Sequence, residues 1–172
     1  MKTFNKIMLA FFMLASTVAC KKDKDGGDGG SAAEGTVKAK VGGTSWTSVA
    51  MSTSAQYVAA GKMLTIMGVD GSGKTVNIIV NNYDGSTGTW DITSAGAAIG
   101  VTASYIEAGV SGSKTWAAPY ASSGVIGKIQ ISEFSKTGSV KGTFNFKARN
   151  QNDNADFKEI TEGSFNIKVK SF

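Results

Sequence analysis

The chain has 172 residues, with 18 Lys and Arg against 13 Asp and Glu, a formal net charge of +5, one cysteine, one proline and no histidine. The missing histidine excludes His-based triads, imidazole proton relays and His-ligated zinc or iron. A lone cysteine excludes an intramolecular disulfide, and so mild a positive balance gives no reason to expect a nucleic-acid partner.

At the N-terminus, Met1 to Lys6 carries two lysines and no acid, Ile7 to Val18 (IMLAFFMLASTV) is apolar or small throughout, and Ala19-Cys20 follows. A basic start, an apolar run and a small-residue cleavage site predict a signal peptide over residues 1–19. The twelve residues of the apolar run rise about 18 Å as a helix, short of the roughly 30 Å needed to span a bilayer. Thr17-Val18-Ala19-Cys20 resembles the lipobox of bacterial lipoproteins, with Thr where Leu is commonest. That resemblance implies that Cys20 is lipidated and becomes the mature N-terminus, giving the protein a membrane partner through its lipid anchor. Residues 20–35, with KKDKDGGDGGSAAEG after the cysteine, have no apolar periodicity and read as a Gly/Lys/Asp tether. Lys21 stands where inner-membrane lipoproteins carry Asp, so the expected location is the outer membrane. The charged tract also looks like surface-export tags, which leaves the periplasmic and cell-surface faces both open.

Thr36 to Phe172 forms one domain-sized unit of 137 residues carrying 13 Lys and Arg against 9 Asp and Glu, net +4. Period-2 alternation runs through it. Val37, Ala39 and Val41 alternate with Lys38 and Lys40, and Val76, Ile78 and Val80 alternate with Asn77 and Asn81. Val140, Gly142, Phe144, Phe146 and Ala148 oppose Lys141, Thr143, Asn145, Lys147 and Arg149, while Phe165, Ile167 and Val169 oppose Asn166, Lys168 and Lys170. Turn residues recur at short intervals. The pattern predicts an all-β fold: an antiparallel β-sandwich or flattened barrel of roughly nine or ten strands, with no helix after the signal peptide.

Gly68 to Thr75 (GVDGSGKT) spells a phosphate-binding P-loop. A P-loop needs a helix directly after its Lys and Thr, because helix N-terminal amides hold the phosphates. The following VNIIVNN is a β-branched alternating run. The segment is therefore expected to be a hairpin turn between strands Met63–Val69 and Thr75–Asn81, and no nucleotide is expected. Gly88-Thr89-Trp90 spells the GxW of the first lipocalin strand, which would imply a carrier of a small apolar ligand, although here it falls in mid-domain. Ser111 to Lys114 and Lys136-Thr137-Gly138 spell the SxxK and KTG of serine β-lactamases, but lie on glycine-bearing turns too close together for that fold.

Trp116 and Tyr120, in KTWAAPY beside Pro119, are the candidate ligand-binding rim, with the outward basic row Lys141, Lys147, Arg149, Lys168 and Lys170 as a possible aid. Asn150, Asn152, Asn154 and Asp156 place side-chain oxygens at every second position, the spacing of a calcium loop, yet the EF-hand glycine is missing and Thr161 replaces the twelfth-position Glu. A polar hairpin loop explains the same residues. Glu159 and Glu162 flank a break in the alternation, and Asp153 and Asp156 share one loop, so a carboxylate-dependent glycan hydrolase is the enzyme alternative.

GKIQISEF, VKGTFNFKA and EITEGSFNIKV, together with VGGTSW and MLTIMGVDGSGKTVNIIV, resemble an uncharacterised family of Gram-negative bacterial outer-membrane lipoproteins. In that family a GTFxFxA strand is followed by an ITxGxF strand. The resemblance implies fold and location and brings no catalytic residue. The expected protein is a non-catalytic binding or surface-structural module without a cofactor, whose partner is a glycan or another envelope protein.

Overall fold

Alternate burial of valine, isoleucine and phenylalanine makes strands, and in the computed structural model, which describes residues 31–95, 100–110 and 112–172, eleven of them form. They are β1 (Thr36–Val41), β2 (Thr44–Thr47), β3 (Ser54–Val58), β4 (Met63–Val69), β5 (Thr75–Val80), β6 (Gly88–Thr93), β7 (Val101–Gly109), β8 (Gly112–Ala118), β9 (Val125–Phe134), β10 (Ser139–Asn150) and β11 (Phe157–Ser171). Among the described residues the one departure from strand and loop is a single 3-10 turn, Ala50–Ser52. The all-β expectation holds, with one or two strands more than the turn spacing gave. The expected signal peptide and the expected lipidation site Cys20 lie outside the described residues.

Hydrogen bonding orders the strands β2-β1-β11-β3-β4-β5-β7-β8-β10-β9-β6, and β10 also pairs with β11. That extra pairing closes β11-β3-β4-β5-β7-β8-β10 into a ring, with β1-β2 hanging from β11 and β6-β9 from β10. Of the two expected alternatives the fold is therefore the barrel: one 11-stranded sheet closed on itself, whose two longest strands also carry β1-β2 and β6-β9 beside the ring. Both long strands change partner along their length. β10 pairs with β9 through Phe146 and with β8 at Arg149 and Asn150; β11 pairs with β1 through Asn166 and with β3 from Val169. The β11–β3 pairing is parallel, the one departure from an antiparallel fold among the described strands.

The bend that lets β11 serve both sides is a bulge. Phe144 faces Gly163 and Phe146 faces Ile160, so Thr161 and Glu162 together oppose Asn145. Glu162 has a left-handed φ of 50° and its Lys40 partner is 2.8 Å away. Gly163 is needed for room: a Cβ there would lie 2.5 Å from the Phe144 ring. Inside the ring, Leu64, Ile66, Ile78, Phe144, Ile160 and Phe165 belong to one continuous core drawn from every ring strand. One end is filled by edge-on rings: Tyr57 and Tyr83 pack on Phe134 at 5.2 and 5.0 Å, and Trp90 packs on Tyr83 at 5.6 Å.

Candidate functional site

The loop at Gly68 to Thr75 is a hairpin turn, as its alternating flanks require. Asp70 N–H donates to Lys74 O at 2.9 Å, Gly73 takes φ +82°, and Val69 pairs with Thr75 across the hairpin. The amides that would cradle a phosphate are already used. Asp70 Oδ1 accepts the Ser72 N–H at 2.8 Å, the Ser72 hydroxyl at 2.8 Å and the Lys74 N–H at 2.9 Å. Partial burial pushes the Asp70 carboxyl up, but these donors outweigh it and hold it below the usual carboxylate range. Gly68, the first motif glycine, is a packing residue: a Cβ there would lie 2.9 Å from the Val37 and Ser48 side chains.

Trp116 and Tyr120 part company. Trp116, on β8, is only 2% exposed, its ring tilted against Tyr105 at 5.8 Å with the Lys158 ammonium 4.9 Å from its centroid. Lys158 is in turn 3.4 Å from Glu107. An indole only 2% exposed offers no stacking surface, so the rim expected at Trp116 is a core contact instead. Burial first, and then the Glu107 carboxylate, push the neighbouring Tyr105 hydroxyl well above its usual range, so it stays protonated.

Tyr120 keeps a role at the surface, with partners that the chain brings from elsewhere. The Arg149 guanidinium lies 4.7 Å from its ring centroid, Phe157 packs edge-on at 5.7 Å, and the Lys147 ammonium is 5.0 Å from the Phe157 ring. The two rings therefore lie between two cations in the order Lys147, Phe157, Tyr120, Arg149, a ladder across the β8, β10 and β11 ends. Phe157 is 39% exposed. Beside it a cavity of about 180 Å³ is lined by Ile126, Asn145, Lys147, Glu159 and Thr161 among others. Of the expected basic row, Lys147 and Arg149 join this site. Lys141 is engaged by Glu133 at 2.8 Å, and Lys168 and Lys170 are exposed farther along β11.

Phe157 escaped the sequence reading because of the bulge. Counting back from buried Phe165 in steps of two puts residue 157 inside, but the extra residue at 161–162 reverses the phase, so Lys158 points in and Phe157 out. The break flanked by Glu159 and Glu162 was the available sign.

The Asn150 to Asp156 loop closes on itself. Asn150 Nδ2 donates to Asp156 Oδ2 at 2.8 Å, Asn150 Oδ1 accepts the Asn152 N–H at 2.9 Å, and Asn152 and Asn154 are exposed. The Asn150 amide holds the Asp156 carboxyl below its usual range; the Trp116 indole N–H, although short of good hydrogen-bond geometry, adds to this, as do Lys158 and Lys114. Among the described residues no group of three or more acidic, His or Cys side chains is placed to hold a metal ion. Glu159 and Glu162 face different lysines, Lys147 at 3.6 Å and Lys40 at 2.8 Å. Lys136-Thr137-Gly138 is the β9–β10 turn, and Lys114 is exposed on β8 while Ser111 lies outside the described residues.

No curated protein and no solved structure matches the chain. A family model described as a domain of unknown function (DUF6252) matches residues 33–168, from the last turn before β1 to within four residues of the C-terminus, so the chain belongs to that family.

Proposed function

We propose that this protein is a non-catalytic binding module, lipid-anchored through Cys20 at the outer membrane, and that its ligand is a glycan held on the Tyr120–Phe157 face. The observation that carries the ligand class is the ladder of rings and cations. Two rings at the surface offer CH-stacking faces, and Lys147 and Arg149 beside them supply donors to sugar hydroxyls or carboxylates. The anchor and location rest on the sequence of the leader and on Lys21. Another envelope protein is the alternative partner for the same face. The non-catalytic reading is supported by the commitment of Glu159 and Glu162 to separate lysines, and a nucleotide is disfavoured by the self-filled loop at Asp70. The carrier reading is disfavoured by a ring interior packed with core side chains.

A glycan array probed with residues 31–172 tests the proposal. Binding is expected, and Tyr120→Ala or Phe157→Ala is expected to weaken it about fivefold, since a stacked ring contributes about 1 kcal/mol. Unchanged binding by both variants removes the ladder as the ligand face.

A further inference from the structure

From Val41 to Gly61 the chain carries no Asp, Glu, Lys or Arg. Within that charge-free stretch, the 3-10 turn Ala50–Ser52 raises apolar side chains into solvent: Met51 is 100% exposed and Val49 44%. The turn is held in place on both sides. Val49 N–H donates to Val69 O at 2.9 Å, Ser48 N–H to Val37 O at 2.9 Å, and the Thr53 hydroxyl to Val49 O at 2.8 Å. It is an apolar projection on a rigid base.

The second observation is where the N-terminal segment joins the domain. Ala32 is buried, Gly35 N–H donates to Asn166 O at 2.7 Å, and a Cβ on Gly35 would lie 3.5 Å from Ala50. The segment leading to the proposed anchor therefore meets the domain against the apolar turn. Ten residues, Lys21 to Gly30, separate Cys20 from the first described residue, and ten residues span at most about 35 Å.

We propose that the Val49–Met51 turn is a second contact with the lipid bilayer, dipping shallowly into the headgroup and acyl boundary and turning the domain to one orientation on the membrane. The inference rests on the anchored reading above. Two apolar side chains do not hold a protein on a membrane alone. A short tether keeps them at an effective concentration of about a millimolar or more beside the bilayer, where a weak insertion selects one face. Because residues 41–61 carry no charge, no ionised side chain of the turn's own stretch has to be desolvated on the way in.

The chain's single cysteine makes the test direct. The chain from Cys20 onward is coupled through that thiol to a maleimide lipid in vesicles of phosphatidylethanolamine and phosphatidylglycerol containing brominated acyl chains. Met51→Trp is expected to be quenched at least about twice as strongly as Val110→Trp, an equally exposed position on the β7–β8 tip, and adding Val49→Asp is expected to abolish the difference. Equal quenching at the two positions, or none at Met51→Trp, overturns the proposal. Because the anchor is imposed chemically, this result is independent of whether cells lipidate Cys20; palmitate labelling of the full chain and of Cys20→Ser in cells decides that separately.

Discussion

Gly163 shows how much a single missing methyl can decide. Its Cα sits against the Phe144 ring and carbonyl, where an added Cβ would come within 2.5 and 2.6 Å, so Gly163→Ala must displace backbone or ring. Overpacking of that kind costs about 1–3 kcal/mol, and a urea unfolding curve for the variant is expected to show it. The two candidate aromatics separate on the same measurement. Trp116→Ala empties a site buried among Tyr105, Lys158 and the core and is expected to cost about 3–5 kcal/mol. Tyr120→Ala, partly exposed, is expected to cost less than about 1.5 kcal/mol while weakening ligand binding. A stability loss at Tyr120 equal to that at Trp116 would make it a core residue and not a recognition residue. The sequence places Trp116 and Tyr120 four residues apart in an aromatic segment beside Pro119, but only the packing tells which of the two is closed over.

At the scale of elements, the β4–β5 hairpin was legible because all its determinants are local. VNIIVNN cannot start a helix, and Asp70, Gly71 and Gly73 supply both the acceptor and the backbone freedom for a tight reversal. Asp70→Asn keeps the shape and weakens the three donors' acceptor, so it is expected to lower stability by about 1 kcal/mol. Magnesium ATP is expected to leave the melting temperature of the natural chain unchanged; a ligand-dependent rise would restore the phosphate-loop reading. The β10–β11 hairpin was only half legible. Its strands alternate visibly, but the bulge at Thr161 and Glu162 inverts the facing of everything between Phe157 and Ile160. The period of two survives a bulge and the phase does not, which is why alternation counted back from Phe165 puts Phe157 on the wrong face.

For the whole molecule, the carboxylates that close its loops couple stability to acid. Asp70, Asp84 and Asp156 all titrate below their ordinary value in the folded chain, held down chiefly by the hydrogen-bond donors of Ser72 and Lys74, Ser86, and Asn150 respectively. A folded pKa below the unfolded one means stability that is fully present above the unfolded value, near pH 4, and lost as pH falls through the folded values. The melting temperature is therefore expected to be flat from neutrality to about pH 5 and to drop below about pH 4, and Asp70→Asn is expected to flatten that drop. A drop that starts near pH 6.5 would contradict this, since the chain has no histidine to titrate there.

The sequence by itself determined that the domain is all-β, that its strands bury alternate side chains, that the phosphate-loop spelling is a turn, and which chemistries the missing histidine excludes. Each of these depends on residue types or on neighbours within a few positions. Only the tertiary structure decided that β10 and β11 close the ring by pairing with each other as well as with β8 and β3, that Lys158 seals Trp116, and that Phe157 meets Tyr120 beside Arg149 and Lys147. Those contacts join strands distant in the chain, and their facing depends on a one-residue bulge, so no local pattern of hydrophobicity carries them.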